Sequence, residues 1–89
     1  MISRTVTIQN KLGLHARSAN QFVRTAIAFS SSINVVNEHA AANGKSIMSM
    51  MLLQAAKGTD VELQVEGEDE EQACAALEAL INDKFGEDD

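Results

Sequence analysis

Few side chains in this sequence are equipped for nucleophilic chemistry near neutral pH: two histidines, His15 and His39, and one cysteine, Cys74. His15 stands in the run LGLHARSAN, and an apolar-periodic segment begins immediately after it. The start of a helix has unsatisfied N–H groups and a partial positive charge, so it attracts phosphate-like anions. The same field disfavours an imidazolium and favours a neutral ring with a free lone pair. A neutral imidazole nitrogen is a competent nucleophile toward phosphorus, and the phosphorylated ring would carry its dianion into a place that attracts one. Arg17, two residues on, can add a charge-assisted, bidentate contact. Arg24, seven residues further, lies two turns along the same side and extends the positive surface toward an acidic partner. A solvated loop histidine with an incidental arginine nearby accounts for the same residues. On residue type and position alone, the two readings stand level.

The elements that must position these residues are legible from periodicity. Ile2 to Ile8 alternates as a strand, with Ile2, Val6 and Ile8 inward and Arg4 the misfit. QNKLG is a turn. From Ala16, apolar residues recur at Ala19, Phe22, Val23, Ala26 and Ile27, the stripe of an amphipathic helix that SSS brings to an end. INVVN is a second strand, and EHAAANG holds a turn and a short third strand. Ser46 caps a short helix, IMSMMLLQAA, that stops at Gly58. Val61, Leu63 and Val65 alternate with Glu62, Gln64 and Glu66, so VELQVEG is a strand with one wet face. Asp69 and Gln72 have capping-box spacing. The last helix buries Ala73, Ala76, Leu77, Leu80, Ile81 and Phe85, and its acidic first turn suits the helix dipole. The order βαββαβα, with antiparallel strands and helices on one face, makes an α+β two-layer sandwich. Residues 1–89 read as one domain, with 86–89, GEDD, a disordered acidic tail.

Seven Lys and Arg against thirteen Asp and Glu give a net charge of −6, which argues against general nucleic-acid binding. Arg4, Lys11, Arg17 and Arg24 nevertheless crowd the N-terminal portion, so a locally basic face around His15 fits an acidic protein. One cysteine cannot form an intramolecular disulfide, and no signal-peptide pattern is present, so a cytoplasmic protein is expected. No apolar run approaches the roughly 20 residues that cross a bilayer, so no membrane insertion is expected. There is no Cys/His spacing for zinc and no carboxylate loop pattern, hence no metal and no cofactor. GKS at 44–46 has the ending of a nucleotide-binding P-loop, but that motif needs glycine at position 39, where His39 stands. His39 is read as a surface residue, Cys74 as a small core or boundary residue, and EGEDEE as a solvated helix start.

The stretch GLHARSA resembles the active-site signature, usually written GLHARPA, of the HPr family, the histidine-containing phosphocarriers of the phosphoenolpyruvate-dependent phosphotransferase system. NGKSIMSMMLLQAAKGTDVELQVEGEDEEQA is similar to that family's second signature, and the resemblance spans essentially the whole chain. It implies the family's open-faced β-sandwich, a four-stranded antiparallel sheet covered on one face by three helices. It also implies a monomeric relay component with no turnover of its own. By that resemblance His15 takes a phosphoryl group from enzyme I, through the ring nitrogen facing the helix start, and passes it to an enzyme IIA-type acceptor. Arg17 and the backbone N–H groups of Ala16 and Arg17 would steady the phosphate. Ser46 matches the serine that a dedicated HPr kinase/phosphorylase modifies in some branches. Ile47, Met48 and Met51 match the exposed apolar patch that docks partners, with Arg24 beside it on the basic side.

A short helix has one inward face, so Met50 and Leu53 are read as core and Met48 and Met51 as exposed. Met is adaptable, which suits a surface fitting several partners. Ser46 is equally an N-cap, a role that needs no kinase and is compatible with phosphorylation. NKLGLHAR and INDKFGEDD look more like the regulatory, nitrogen-related carriers of Gram-negative bacteria than like carriers for sugar uptake. A rival reading from another class is a protein-interaction module that keeps the fold and is controlled by phosphorylation at Ser46. His15 tells against it, since a pure docking protein needs no nucleophile. The departure from the family pattern is Ser18, where proline is usual. Serine gives up proline's preset φ but adds an N–H and a hydroxyl. Replacement of Ser18 by proline is therefore expected to keep transfer and leave stability equal or higher.

Overall fold

The computed structural model describes residues 1–88. Four strands, β1 (Ile2–Thr7), β2 (Ser32–Val36), β3 (Ala41–Asn43) and β4 (Asp60–Glu66), form one sheet in the order β1-β4-β2-β3. Every neighbouring pair is antiparallel. Three helices, α1 (Ala16–Ala26), α2 (Ile47–Met51) and α3 (Glu70–Asn82), cover one face, and a short 3-10 turn, Lys84–Gly86, follows α3. This is the expected βαββαβα open-faced sandwich.

Strand register explains which face is covered. Val6 lies opposite Val61, Ile33 opposite Val65, and Val35 opposite both Leu63 and Ala42. Paired residues point the same way in an antiparallel ladder, so these side chains form one continuous apolar floor. Ile8, Phe22, Met50, Leu77 and Ile81 join them in a single buried cluster. The opposite face carries Ser3, Thr5, Glu62, Gln64 and Asn34, and its polar groups bond across strands, as in Thr7 Oγ1 to Asp60 Oδ1 at 2.6 Å. Arg4, the misfit in the β1 pattern, shares the covered face with Leu63 but lies on an edge strand. Its guanidinium reaches past the core to Glu78 of α3, 3.2 Å away.

α1 packs against both α2 and α3, so it is the central helix of the layer. Its buried side is Ala19, Phe22, Val23 and Ala26, as periodicity predicts. Ile27 does not join that stripe. It caps the helix C-terminus and is 60 % exposed. α3 buries Ala73, Leu77 and Ile81 together with Cys74, whereas Ala76 and Leu80 are half-buried. Phe85 is buried, but from the 3-10 turn rather than from α3. Burial pushes the Cys74 thiol up from its ordinary range, consistent with an inert core residue.

Two helix ends differ from the sequence expectation. α2 stops at Met51, not near Gly58, because Gln54 adopts a left-handed conformation (φ 50) and turns the chain. Gly58 instead continues the contact between the strands' ends, its N–H donating to Ile8 O while Ile8 N–H donates to Thr59 O. Asp69 precedes α3 but does not cap it. Its carboxylate accepts from the N–H groups of Ser30 and Ser31 and from the Ser31 hydroxyl, binding the α1–β2 connection to the start of α3. The Asp69–Gln72 capping box is therefore absent. Glu70 takes the local role instead, accepting from Gly67 N–H at 3.2 Å.

Candidate functional site

The turn from Asn10 to Leu14 delivers the chain to α1, and it is held from three sides. Gly13 has φ +67, and a Cβ there would come within 2.4 Å of Ala55 O, so both conformation and space call for glycine. Leu14 is buried, and its N–H donates to that same Ala55 carbonyl at 2.8 Å. Asn10 is fully buried. Its amide nitrogen donates to Gly13 O at 2.7 Å and to Glu87 Oε1 at 2.9 Å. One side chain thus ties the loop before α1 to the segment after α3.

His15 is the N-cap residue of α1, in extended conformation. Its ring nitrogens face different partners. Nδ1 lies toward the helix start, 3.4 Å from Arg17 N–H, a long and weak contact. Nε2 lies 2.8 Å from Glu87 Oε2. An N–H donor at Nδ1 and a carboxylate at Nε2 together assign the tautomer: Nε2 carries the proton and Nδ1 the lone pair. The ring is 29 % exposed and the Glu87 side chain 12 %.

Ser18 answers the question raised by its sequence position. It is fully buried, and its hydroxyl accepts from His15 N–H at 3.0 Å while donating to Gly13 O at 3.0 Å. The hydroxyl therefore closes the turn against the first turn of α1, pairing the backbone on each side of Leu14. The expectation that proline here would be neutral or stabilising has to be revised, because proline would remove both contacts.

Lys11, Leu12, His15, Arg17, Glu87 and Asp88 line a shallow cleft of about 340 Å³. Arg17 is exposed there, and among the described residues its side chain enters no ion pair. Partial burial pushes the Glu87 carboxyl up. The hydrogen bonds from Asn10 and His15, with the nearby charge of Arg17, outweigh that and leave it below the ordinary Glu range. A larger cavity of about 630 Å³, bordered by Asn37, His39, Leu52 and Asp60, shares no residue with the cleft, and its histidine does not stand at a helix start. His39 beside it is exposed and faces Glu38, as a surface residue should.

The remaining sequence candidates fall in consistent places. Arg24 is exposed in the last turn of α1. Ser46 is the N-cap of α2, its hydroxyl accepting from Ser49 N–H at 3.2 Å. Met48 is 79 % exposed and Met51 41 %, whereas Met50 and Leu53 are buried, the division expected from a helix with one inward face. Ile47, at 37 %, borders the exposed side, and Leu52, at 74 %, adds an apolar residue that the sequence reading left out.

Two members of the site were missed altogether, Asn10 and Glu87. Asn10 sits in a segment with the composition of any polar turn. Glu87 lies in the acidic end expected to be disordered, yet Gly86 to Asp88 follow a defined path that brings its carboxylate to His15. Asp89, the remaining residue of that predicted tail, lies outside the described residues. A contact across 72 positions leaves no local signal.

A family model described as the PTS HPr component phosphorylation site matches residues 2–83. The chain is 51 % identical over 87 residues to the phosphocarrier protein HPr of Neisseria meningitidis, covering 98 % of each. It is similar to the crystal structure of HPr-C-His from Thermoanaerobacter tengcongensis, with a TM-score of 0.94 and 50 % identity over 99 % of both chains. An HPr dimer from the same organism matches at a TM-score of 0.78 and 50 % identity, covering 98 % of this chain and 100 % of that one.

Proposed function

This chain belongs to the HPr family of phosphocarrier proteins of the phosphotransferase system, and on that premise we propose that His15 accepts a phosphoryl group from phospho-enzyme I and passes it to an enzyme IIA-type acceptor. The observation that carries the assignment to His15 is the direction of Nδ1. Its lone pair faces the start of an eleven-residue helix. A phosphoryl group on that nitrogen would lie among the first N–H groups of α1, those of Ala16 and Arg17, which favour an anion. The Arg17 guanidinium, exposed at the rim of the cleft, is within the same neighbourhood to steady the dianion.

The partner surface in this reading is the exposed apolar side of α2, Ile47, Met48 and Met51, with Arg24 on the neighbouring helix supplying positive charge. Charge steers encounter and the small apolar patch keeps the complex transient, which a relay needs. The protein works as a monomer in the cytoplasm. The circuit is the regulatory, nitrogen-related one, an assignment resting on NKLGLHAR and INDKFGEDD. Faster delivery to a sugar-type acceptor than to a nitrogen-type one would reassign it.

Incubation with phosphoenolpyruvate and enzyme I should place an acid-labile phosphate on the wild type and none on His15→Ala. Label that survives in His15→Ala would move the site elsewhere, and unlabelled wild type would sink the relay. The second reading, control through Ser46, is favoured by one observation: the hydroxyl stands at the edge of the docking patch, directly before Ile47. A phosphate there would add negative charge to that patch. Treatment with an HPr kinase/phosphorylase should label the wild type and spare Ser46→Ala.

A further inference from the structure

The cleft contains a carboxylate that the phosphate chemistry does not call for. An anion-binding site gains nothing from Glu87 as a ligand, since its charge opposes that of the phosphoryl group. Its placement suggests a different task. Oε2 contacts Nε2, on the opposite edge of the imidazole from the nitrogen that faces the helix. Oε1 is held by the fully buried Asn10, whose amide also holds the Gly13 carbonyl in the loop leading to His15. The carboxylate is therefore fixed at both oxygens and keeps clear of the seat that the phosphoryl group would take.

We infer that Glu87 is a positioning residue for His15, holding Nε2–H so that the lone pair stays on Nδ1 and balancing the charge that the ring acquires on phosphorylation. The inference rests on His15 being the phosphoryl acceptor. In the acceptance step the Nδ1 electron pair forms the N–P bond. The donor's bond to phosphorus breaks, and its electrons leave with the donor. The Nε2 proton remains on the ring throughout, so the imidazole passes from neutral to cationic while bearing a phosphoryl dianion. A carboxylate at 2.8 Å from Nε2 stabilises that cation through a charge-assisted hydrogen bond. Onward transfer reverses the change: the N–P electrons return to Nδ1 and the ring is neutral again. Glu87 thus contributes where charge develops, as a preorganised group does in a transition state. It never touches phosphorus. The Arg17 and Lys11 charges lining the same cleft offset its repulsion of the incoming group.

The test compares wild type with Glu87→Gln, which keeps shape and an oxygen for Asn10 while removing the charge. Two quantities are read. Acceptance from phospho-enzyme I should fall about tenfold in maximal rate, as expected for loss of one partly solvated charge-assisted hydrogen bond, with the half-saturating concentration unchanged. The imidazole ¹⁵N spectrum of the neutral ring should show the Nε2–H form in wild type and a mixture of tautomers in the variant. Glu87→Asp, which restores a carboxylate, should recover part of both. An unchanged tautomer, a rate within twofold of wild type, or a loss confined to half-saturation overturns the positioning role. Failure of the wild type itself to accept phosphate is a separate result. It would overturn the relay reading, while the spectrum would still decide whether Glu87 sets the tautomer.

Discussion

Replacing Ser18 by alanine isolates the device that fixes the entry to α1. The hydroxyl is fully buried and makes two hydrogen bonds, from His15 N–H and to Gly13 O, each 3.0 Å long. Gly13 O would keep the Asn10 amide, so its loss is small. His15 N–H would be left without a partner, and an unsatisfied, partly buried N–H costs about 1–2 kcal/mol. That also matches the usual cost of deleting a helix cap, about 1 kcal/mol. For a domain of this length the unfolding entropy is about 190 cal/mol/K, so Tm should drop by about 5–10 °C. Proline at the same position loses the same bonds and also the Ser18 N–H of the capping box with His15, while its restriction of the unfolded chain returns about 0.4–1 kcal/mol. Both variants are therefore expected to unfold below wild type. Calorimetry on the three proteins reads it directly. An alanine variant as stable as wild type would refute the reasoning, since the hydroxyl's contacts would then contribute nothing.

Other expectations follow from the same structure. Gly13→Ala should destabilise by about 2–5 kcal/mol, combining a left-handed residue at about 1–2 kcal/mol with a backbone clash at about 1–3 kcal/mol, and urea unfolding will measure it. It should also slow phosphorylation, because the displaced loop carries His15; an unaffected transfer rate would separate the loop from the site. Met50→Ala should cost about 2–5 kcal/mol, whereas Met48→Ala should stay within about 0.5 kcal/mol and weaken partner binding, a contrast that paired unfolding and titration experiments will resolve. The Ser31 hydroxyl, then the Ser30 N–H, hold the Asp69 carboxyl below its ordinary 3.8. Its folded value is lowered, so its contribution is complete above the unfolded value and disappears as pH falls through the folded one. Asp69→Asn should accordingly flatten the acid side of the stability–pH curve below about pH 4. An acid limb identical to wild type would show that the carboxylate does not bind the α1–β2 connection.

Periodicity carried the elements well because the two layers impose different repeats on their inner faces. Alternation in VELQVEG and the Ala19–Phe22–Val23–Ala26 stripe are direct records of one-sided burial. The ends of elements were harder. Gln54 turning left-handed and Asp69 leaving its helix for Ser30 and Ser31 are decisions made by tertiary contacts, and neither residue type announces them. The site divides the same way. The positions of His15, Arg17 and Ser46 at helix starts were legible because they depend only on local periodicity. Asn10 and Glu87 were not, because their roles depend on the far end of the chain arriving at the loop. Ser18 was legible as an oddity, but its two partners became apparent only when the turn was seen folded over it.

The sheet order has a consequence for how this protein comes into being. Among the described residues β1 has β4 as its sole neighbour, and between them lie both other strands and two helices. On the ribosome, β1 must therefore wait unpaired until β4 has been translated, and the Leu14 N–H must wait for Ala55. Pairings of such sequence separation slow folding and leave nascent edges exposed to association. With His15 as the proposed phosphoryl acceptor, its competence should then emerge late and all at once: truncated translation products ending before β4 would contain His15 without the turn that holds it at the start of α1.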